Sequence, residues 1–176
     1  MKGIIAGGAA LVLLAMPAYS QSISEKTGVN SALGITPTTQ DFVTEVANSD
    51  MLEIQSSQLV ATKSDDKDKT FAEHMIKDHT ATSDKMKELV NSGKVKVNLP
   101  TALDSAHRVK LDKLRGLNGE AFRKLYEDMQ VSAHKDAVSL FQRYGKGGDN
   151  PDLKAFASET LPTLREHLKM AQDLKK

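Results

Sequence analysis

Four long segments of the chain carry apolar residues at every third or fourth position, the spacing that places side chains on one face of an α-helix. The segments cover residues 39–62, 66–92, 119–145 and 152–175. Residues typical of helix starts and ends separate these segments, at Asp65-Asp66, at Ser92-Gly93 and between Gly145 and Pro151. Four helices of this length predict an all-α bundle.

The connections between the four segments differ in length. Short turns join the first to the second and the third to the fourth, whereas a long link joins the second to the third. This link contains a short amphipathic stretch at residues 102–115, and Thr101 followed by Asp104 predicts a capped start for it. One long link between two short turns is typical of a ferritin-like four-helix bundle with one crossover. An up-and-down bundle with an additional short helix is the alternative.

The first twenty residues differ in composition from the rest of the chain. Lys2 is followed by an apolar run at residues 4–16 and by small residues up to Ser20. This pattern predicts a signal peptide, residues 1–20, cleaved before Gln21. The apolar run is shorter than the roughly 20 residues that span a bilayer, so no integral membrane span is expected after cleavage. We therefore predict a periplasmic protein, and association with the outer membrane stays open.

The remaining chain divides into two predicted parts, a flexible N-terminal segment at residues 21–37 and a helical domain at 38–176. The chain has no cysteine, which excludes disulfides and a thiol nucleophile. Its 24 basic and 23 acidic side chains give a net charge of +1, so no nucleic-acid partner is expected. It also lacks a GxSxG elbow, a glycine-rich phosphate loop and an HExxH motif. These absences favour a binding or structural protein over an enzyme.

In a helical-wheel projection, with successive residues 100° apart, several polar residues fall on the apolar faces of the predicted helices. One carboxylate and three imidazoles of this kind lie near the middle of four different helices: Glu53, His79, His134 and His167. Because a helix rises about 1.5 Å per residue, we expect these four side chains to meet at one level of the bundle. Imidazole and carboxylate together suit Zn, Fe, Mn and Cu. The pattern predicts a site for a single transition-metal ion.

Four further residues are candidates for the same site. Asp50 shares the inward face of the first helix, His107 lies on the apolar side of the short linking helix, and Met75 and Met129 offer sulfur that would favour copper. The alternative is a buried polar network that fixes the register of the helices and binds nothing. Both interpretations stay open at this point, and in the second one the methionines simply fill the core.

Four runs of the sequence resemble one bacterial family, the domain of unknown function 4142. The runs are 71–80 (FAEHMIKDHT), 99–104 (LPTALD), 126–134 (YEDMQVSAH) and 160–168 (TLPTLREHL). The resemblance covers residues 38–175 in order. It implies an exported protein of the ferritin-like superfamily, of a kind labelled as outer-membrane or membrane protein, and it implies no settled activity.

The chain departs from ferritin-like oxidases in one respect. Those proteins hold two irons with a Glu-x-x-His pair on each of two helices, and no such spacing occurs here. The sequence therefore predicts a non-enzymatic protein that binds or buffers one metal ion in envelope or stress physiology. A structural or interaction module with an unidentified protein partner is the second hypothesis, and a metalloenzyme that handles peroxide is the third.

Overall fold

The computed structural model describes residue 22, residues 28–63 and residues 66–176, and the predicted signal peptide lies outside these ranges. Within them the protein is an all-α bundle of six helices and no strand, which confirms the predicted fold class. The helices are α1 Val29–Ala32, α2 Thr39–Lys63, α3 Asp66–Asn91, α4 Ser105–Arg115, α5 Gly119–Gly147 and α6 Pro151–Leu174. No helix in the described ranges is long and apolar enough to cross a membrane.

Two apolar clusters fill the ends of the bundle and show the direction of each helix. The upper cluster joins the start of α2 and α6 to the end of α3 and α5, and it contains Phe42, Val46, Met86, Leu89, Phe141, Tyr144, Leu153 and Phe156. The lower cluster joins the opposite ends of the same helices, and it contains Val60, Phe71, Met75, Phe122, Tyr126, Ala171 and Leu174. Helices α3 and α5 therefore run in the same direction, antiparallel to α2 and α6.

The packing of the four long helices closes a ring. Helix α2 packs on α3 and on α5, and α6 packs on the same two helices, so α3 and α5 lie diagonally across the bundle. Since they are parallel, the link between them must return along the whole length of the bundle, and α4 forms part of it against α2 and α5. This is the one-crossover connection predicted from the loop lengths, rather than the up-and-down alternative.

The start of α4 differs from the sequence prediction. The helix begins at Ser105 instead of residue 102, because Asp104 rather than Thr101 is the N-cap and accepts a hydrogen bond from the backbone N–H of His107 at 2.8 Å. The backbone N–H of Asp104 donates in turn to Asn48 of α2 at 2.8 Å. A buried amide of α2 thus fixes the position of the crossover link.

The segment before α2 contacts α5. Ser31 of α1 bonds to Ser139, and Arg143 donates to the carbonyl of Ile35. The predicted boundary of the helical domain at residue 38 stays a prediction, because these contacts do not define where the folded unit begins.

The end of α5 turns so closely that a β-carbon at Gly148 would lie 2.5 Å from the Tyr144 ring and 2.7 Å from the Tyr144 carbonyl oxygen. The Tyr144 ring is fully buried and stacks on Phe42 at 4.1 Å. We expect Gly148→Ala to lower the free energy of unfolding by about 1–3 kcal/mol in urea denaturation, since the ring cannot move without disturbing the upper cluster.

Gly116→Ala is the matched control for this substitution. The nearest atoms to a β-carbon there are 3.6 Å away, and the φ angle of −72° suits any residue. Its expected effect is neutral or stabilising by up to about 1 kcal/mol. Equal destabilisation by the two variants would contradict the close approach at Gly148.

Candidate metal centre

Three histidines meet between the two apolar clusters, at the middle height of the bundle. His79 comes from α3, His134 from α5 and His167 from α6, and all three side chains are buried. Their ring centroids are 5.4–5.6 Å apart. Each ring offers one nitrogen, and the three nitrogens lie within 4.8 Å of one another. We call these residues the histidine cluster.

His134 is fixed in one tautomer by its own helix. Its Nδ1 lies 2.8 Å from the backbone carbonyl of Gln130, and a carbonyl only accepts, so Nδ1 carries the hydrogen. Burial, with a smaller contribution from the charge of His79, lowers the pKa of His134 to about 3. The ring is therefore neutral near pH 7, and Nε2 presents a lone pair to the centre of the cluster.

His79 is held by a buried carboxylate of α2. Its Nδ1 lies 2.8 Å from Asp50, and Ser83 donates to the other carboxylate oxygen at 3.1 Å. Burial lowers the pKa of His79, but the hydrogen bond and charge of Asp50, with Glu53 and Asp78, outweigh it and leave that pKa raised. Burial also raises the pKa of Asp50. Nδ1 donates to Asp50, so Nε2 is the nitrogen that faces the cluster.

The two facing nitrogens of His79 and His134 are 3.4 Å apart. Because Nε2 of His134 carries no hydrogen, the pair is held either by a proton on Nε2 of His79 or by a cation bound between them. Two imidazole nitrogens that bind one Zn²⁺ at 2.0–2.1 Å with tetrahedral angles are separated by about 3.4 Å. The spacing therefore matches that of two ligands of a single ion.

His167 completes the cluster from α6. Its Nε2 lies 3.0 Å from Asp78, and its Nδ1 is buried without a hydrogen-bond partner in the protein. Burial lowers the pKa of His167, so the ring is neutral near pH 7, donates from Nε2 and keeps a lone pair on Nδ1. Each of the three rings thus has one nitrogen held by an acceptor, which is how histidine ligands are oriented in metal sites. The other nitrogen carries a lone pair in His134 and His167, and in the metal-free protein it carries a proton in His79.

Glu53 lies beside the cluster on α2. Its side chain is buried and its Oε2 has no hydrogen-bond partner. Burial raises the pKa of Glu53 to about 7, although the charge of His79 and the nearby Gln130 amide oppose the shift. The amide of Gln130 is itself buried with neither polar atom in hydrogen-bonding geometry. Helices α2, α5 and α6 thus each contribute a buried polar side chain with an atom that no protein group pairs, Glu53, Gln130 and His167.

The structure distributes the sequence candidates as follows. His79, His134 and His167 come together, Glu53 lies next to them but outside the set of atoms within 4.8 Å, and Asp50 is the hydrogen-bond partner of His79. Met75 and Met129 belong to the lower cluster and its edge. His107 bonds to Asp104 on α4, at the wall of an outer pocket of about 360 Å³.

Two partners of the cluster were not identified from the sequence, Asp78 and the carbonyl of Gln130. Asp78 directly precedes His79, but it bonds to a histidine on α6, and only the packing of α3 on α6 reveals that contact. The carbonyl four residues before His134 is an ordinary feature of any helix, so no sequence signal marks it.

Fold and site together define a class, an all-α crossover bundle with a buried histidine cluster on its axis. The chain belongs to the family described as Domain of unknown function (DUF4142), whose family model matches residues 24–174 and confirms the resemblance seen in the sequence. Comparisons with curated proteins and with solved structures found no match.

The raised pKa of Glu53 predicts a pH-dependent stability for the metal-free protein. The folded state holds the Glu53 carboxyl proton more tightly than the unfolded chain does. The contribution of this proton to the free energy of unfolding is therefore full below pH 4.5 and is lost as pH rises through 7. In urea denaturation with a chelator, the unfolding free energy of the wild type should fall between pH 5 and pH 8 by about 2–3 kcal/mol more than that of Glu53→Gln.

Glu88→Gln is the control for this measurement, because Glu88 is exposed and pairs with Lys85 at the surface. It should keep the pH dependence of the wild type. The same pH dependence in Glu53→Gln as in the wild type would show that Glu53 is not the titrating group.

Proposed function

We propose that this protein binds one transition-metal ion in the core of its bundle through His79, His134 and His167, with Glu53 as the fourth ligand. The observation that carries the proposal is the convergence of three buried imidazoles whose nitrogens lie within 4.8 Å of one another, each on a ring that an acceptor holds in place. Three imidazoles and one carboxylate form a ligand set that Zn, Fe, Mn and Cu accept.

The charges around the cluster support a cation. Asp50 and Glu53 are both buried, and neither pairs with a lysine or arginine in the described part of the chain. His79 is the cationic partner of Asp50, whereas Glu53 has no partner of its own, and burying an unpaired carboxylate is costly. A divalent ion beside them would offset their charge, and it would also give Nδ1 of His167 a partner.

The proposal does not include sulfur ligands. Met75 is fully buried among apolar side chains of the lower cluster, and Met129 packs against the same cluster. Copper therefore has no advantage over zinc, iron or manganese from these residues, and the ligand set is one of nitrogen and oxygen.

The biological setting is inferred from the sequence. The charged start, apolar run and small residues of the first twenty positions support export, and we place the protein in the periplasm. The single-crossover topology of the bundle supports a place in the ferritin-like superfamily. In that setting the protein would bind or buffer a metal ion in envelope or stress physiology, without turnover.

A buried polar network without metal is the second candidate. The Asp50–His79–Ser83 and Asp78–His167 contacts are good hydrogen bonds that need no ion, and such networks fix the register of helices. The unpaired atoms of Glu53, Gln130 and His167 count against it, because an architectural network stabilises only when its members are satisfied.

Elemental analysis of the protein purified from periplasm without an affinity tag or chelator tests the proposal directly. Near-stoichiometric metal, or tight binding of one Zn²⁺, Cu²⁺, Mn²⁺ or Fe²⁺ by the metal-free protein, is the expected result. A stable fold that binds none of these ions at micromolar concentration would assign the histidines to architecture.

Substitution of single histidines separates the buried cluster from surface binding. His79 is buried in the cluster, whereas His74 on the same helix is exposed. His79→Ala should weaken the binding of one metal ion by more than about 100-fold, beyond the loss that follows when only a hydrogen-bond partner of a ligand is removed, and His74→Ala should not weaken it. Isothermal titration calorimetry measures both.

His134→Gln is a second variant in case His79→Ala does not fold. The His134 ring bonds to a backbone carbonyl, so its loss leaves no buried carboxylate unpaired. It should also lose binding while circular dichroism shows the helical content of the wild type. Equal losses from His74→Ala and His79→Ala would contradict the inward assignment.

A further inference from the structure

The three acceptors that hold the histidine cluster differ in their exposure. The Asp50 side chain is 4% exposed, and Gln130 is fully buried. The Asp78 side chain is 35% exposed, although the His167 ring that it holds is only 5% exposed. Of the three groups that accept directly from the histidines, Asp78 is thus the one that reaches the surface.

Each pair of neighbouring long helices forms one wall of the bundle, and the four walls differ in how extensively the two helices pack. The α2–α3 and α5–α6 pairs are the most extensively packed, and α4 lies against both helices of the α2–α5 pair. The α3–α6 pair, which carries Asp78 and His167, packs less extensively. In addition, α6 contains Pro162, whose missing N–H removes one hydrogen bond of the helix little more than a turn before His167. Among the described helices this wall thus combines the least extensive packing with an interrupted helix, and α4 does not cover it.

Two carboxylates lie near the His167 ring at this wall. Asp78 lies at the surface of α3, and the exposed Glu166 lies beside His167 on α6. The charges of both carboxylates act on the His167 ring, with His79 as the cationic group that opposes them. A hydrated cation that approaches the α3–α6 wall therefore meets carboxylates before it meets the imidazoles.

We propose that the metal ion enters and leaves through the Asp78–His167 pair, with the Asp78 carboxylate as the first ligand of the incoming ion. This inference rests on the proposed metal site. When Asp78 binds the hydrated ion it gives up the hydrogen bond from Nε2 of His167, and the released ring is free to rotate. The ion then exchanges its waters for the three imidazoles, the proton on Nε2 of His79 passes to solvent as that nitrogen binds, and His167 closes the site by bonding again to Asp78.

The kinetics of zinc binding test this path. The metal-free wild type and Asp78→Asn are mixed with Zn²⁺ in a stopped-flow instrument, and release is followed with an excess of chelator. Asparagine keeps an oxygen that accepts from His167 but removes the charge. We expect the association rate of Asp78→Asn to fall at least about 10-fold, with unchanged stoichiometry and no faster release.

Asp84→Asn is the matched control, because Asp84 is an exposed aspartate of the same helix that pairs only with Lys87 at the surface among the contacts described. It removes the same charge from the protein and should bind zinc at the rate of the wild type. A rate for Asp78→Asn equal to that of Asp84→Asn would overturn the proposed path and leave the metal site standing.

The change in the release rate distinguishes an entry ligand from a residue that only positions His167. If Asp78 only positions His167, its replacement leaves association unchanged and speeds release, because the ligand then loses the hydrogen bond that orients it. That result would overturn the proposal. A wild type that binds no zinc would instead refute the metal site itself, so the two failures are distinguishable.

Discussion

A buried imidazole must have its N–H group satisfied, and this requirement organises the centre of the bundle. His134 meets it with a carbonyl of its own helix, His79 with a carboxylate of α2 and His167 with a carboxylate of α3. Each solution fixes its ring and leaves the other nitrogen free of that acceptor. One nitrogen of each ring lies within 4.8 Å of a nitrogen of the other two, and this convergence is a consequence of how three separate hydrogen bonds are made.

The topology decides which helices supply those nitrogens. Because α3 and α5 are diagonal, His79 and His134 approach within 3.4 Å only at the axis of the bundle. Helix α6 is a neighbour of both, and it adds His167 from the side, while α2 supplies Asp50 and Glu53 from the remaining corner. An up-and-down connection would make α3 and α5 adjacent and antiparallel, and the same two rings would then meet at a wall rather than at the centre.

The sequence predicts the fold well and the site in part. Helix periodicity and the unequal loop lengths were enough for the four long helices and the crossover, because both depend on local spacing. The common height of His79, His134 and His167 along the bundle axis follows from the rise per residue of a helix, and the structure brings these residues together. Their acceptors could not be predicted in the same way. Asp78 is a surface residue by its position on α3, and its bond to His167 depends on how α3 and α6 are rotated against each other.

Helix α2 shows why apolar periodicity alone does not reveal how polar the centre of the bundle is. It buries Asn48, Asp50, Glu53, Ser56 and Ser57 among its apolar residues, so its inward face is mixed rather than hydrophobic. Asn48 bonds to the crossover link and Ser57 to Tyr126, which accounts for two of these residues as architecture. Asp50 is accounted for by His79. Glu53 alone among the carboxylates of this helix is buried with an oxygen that no described group satisfies, and it lies beside the histidine cluster. This oxygen is the group on α2 that the proposed metal ion would pair, and a glutamine of the same shape would fill the space without offering a charge to it.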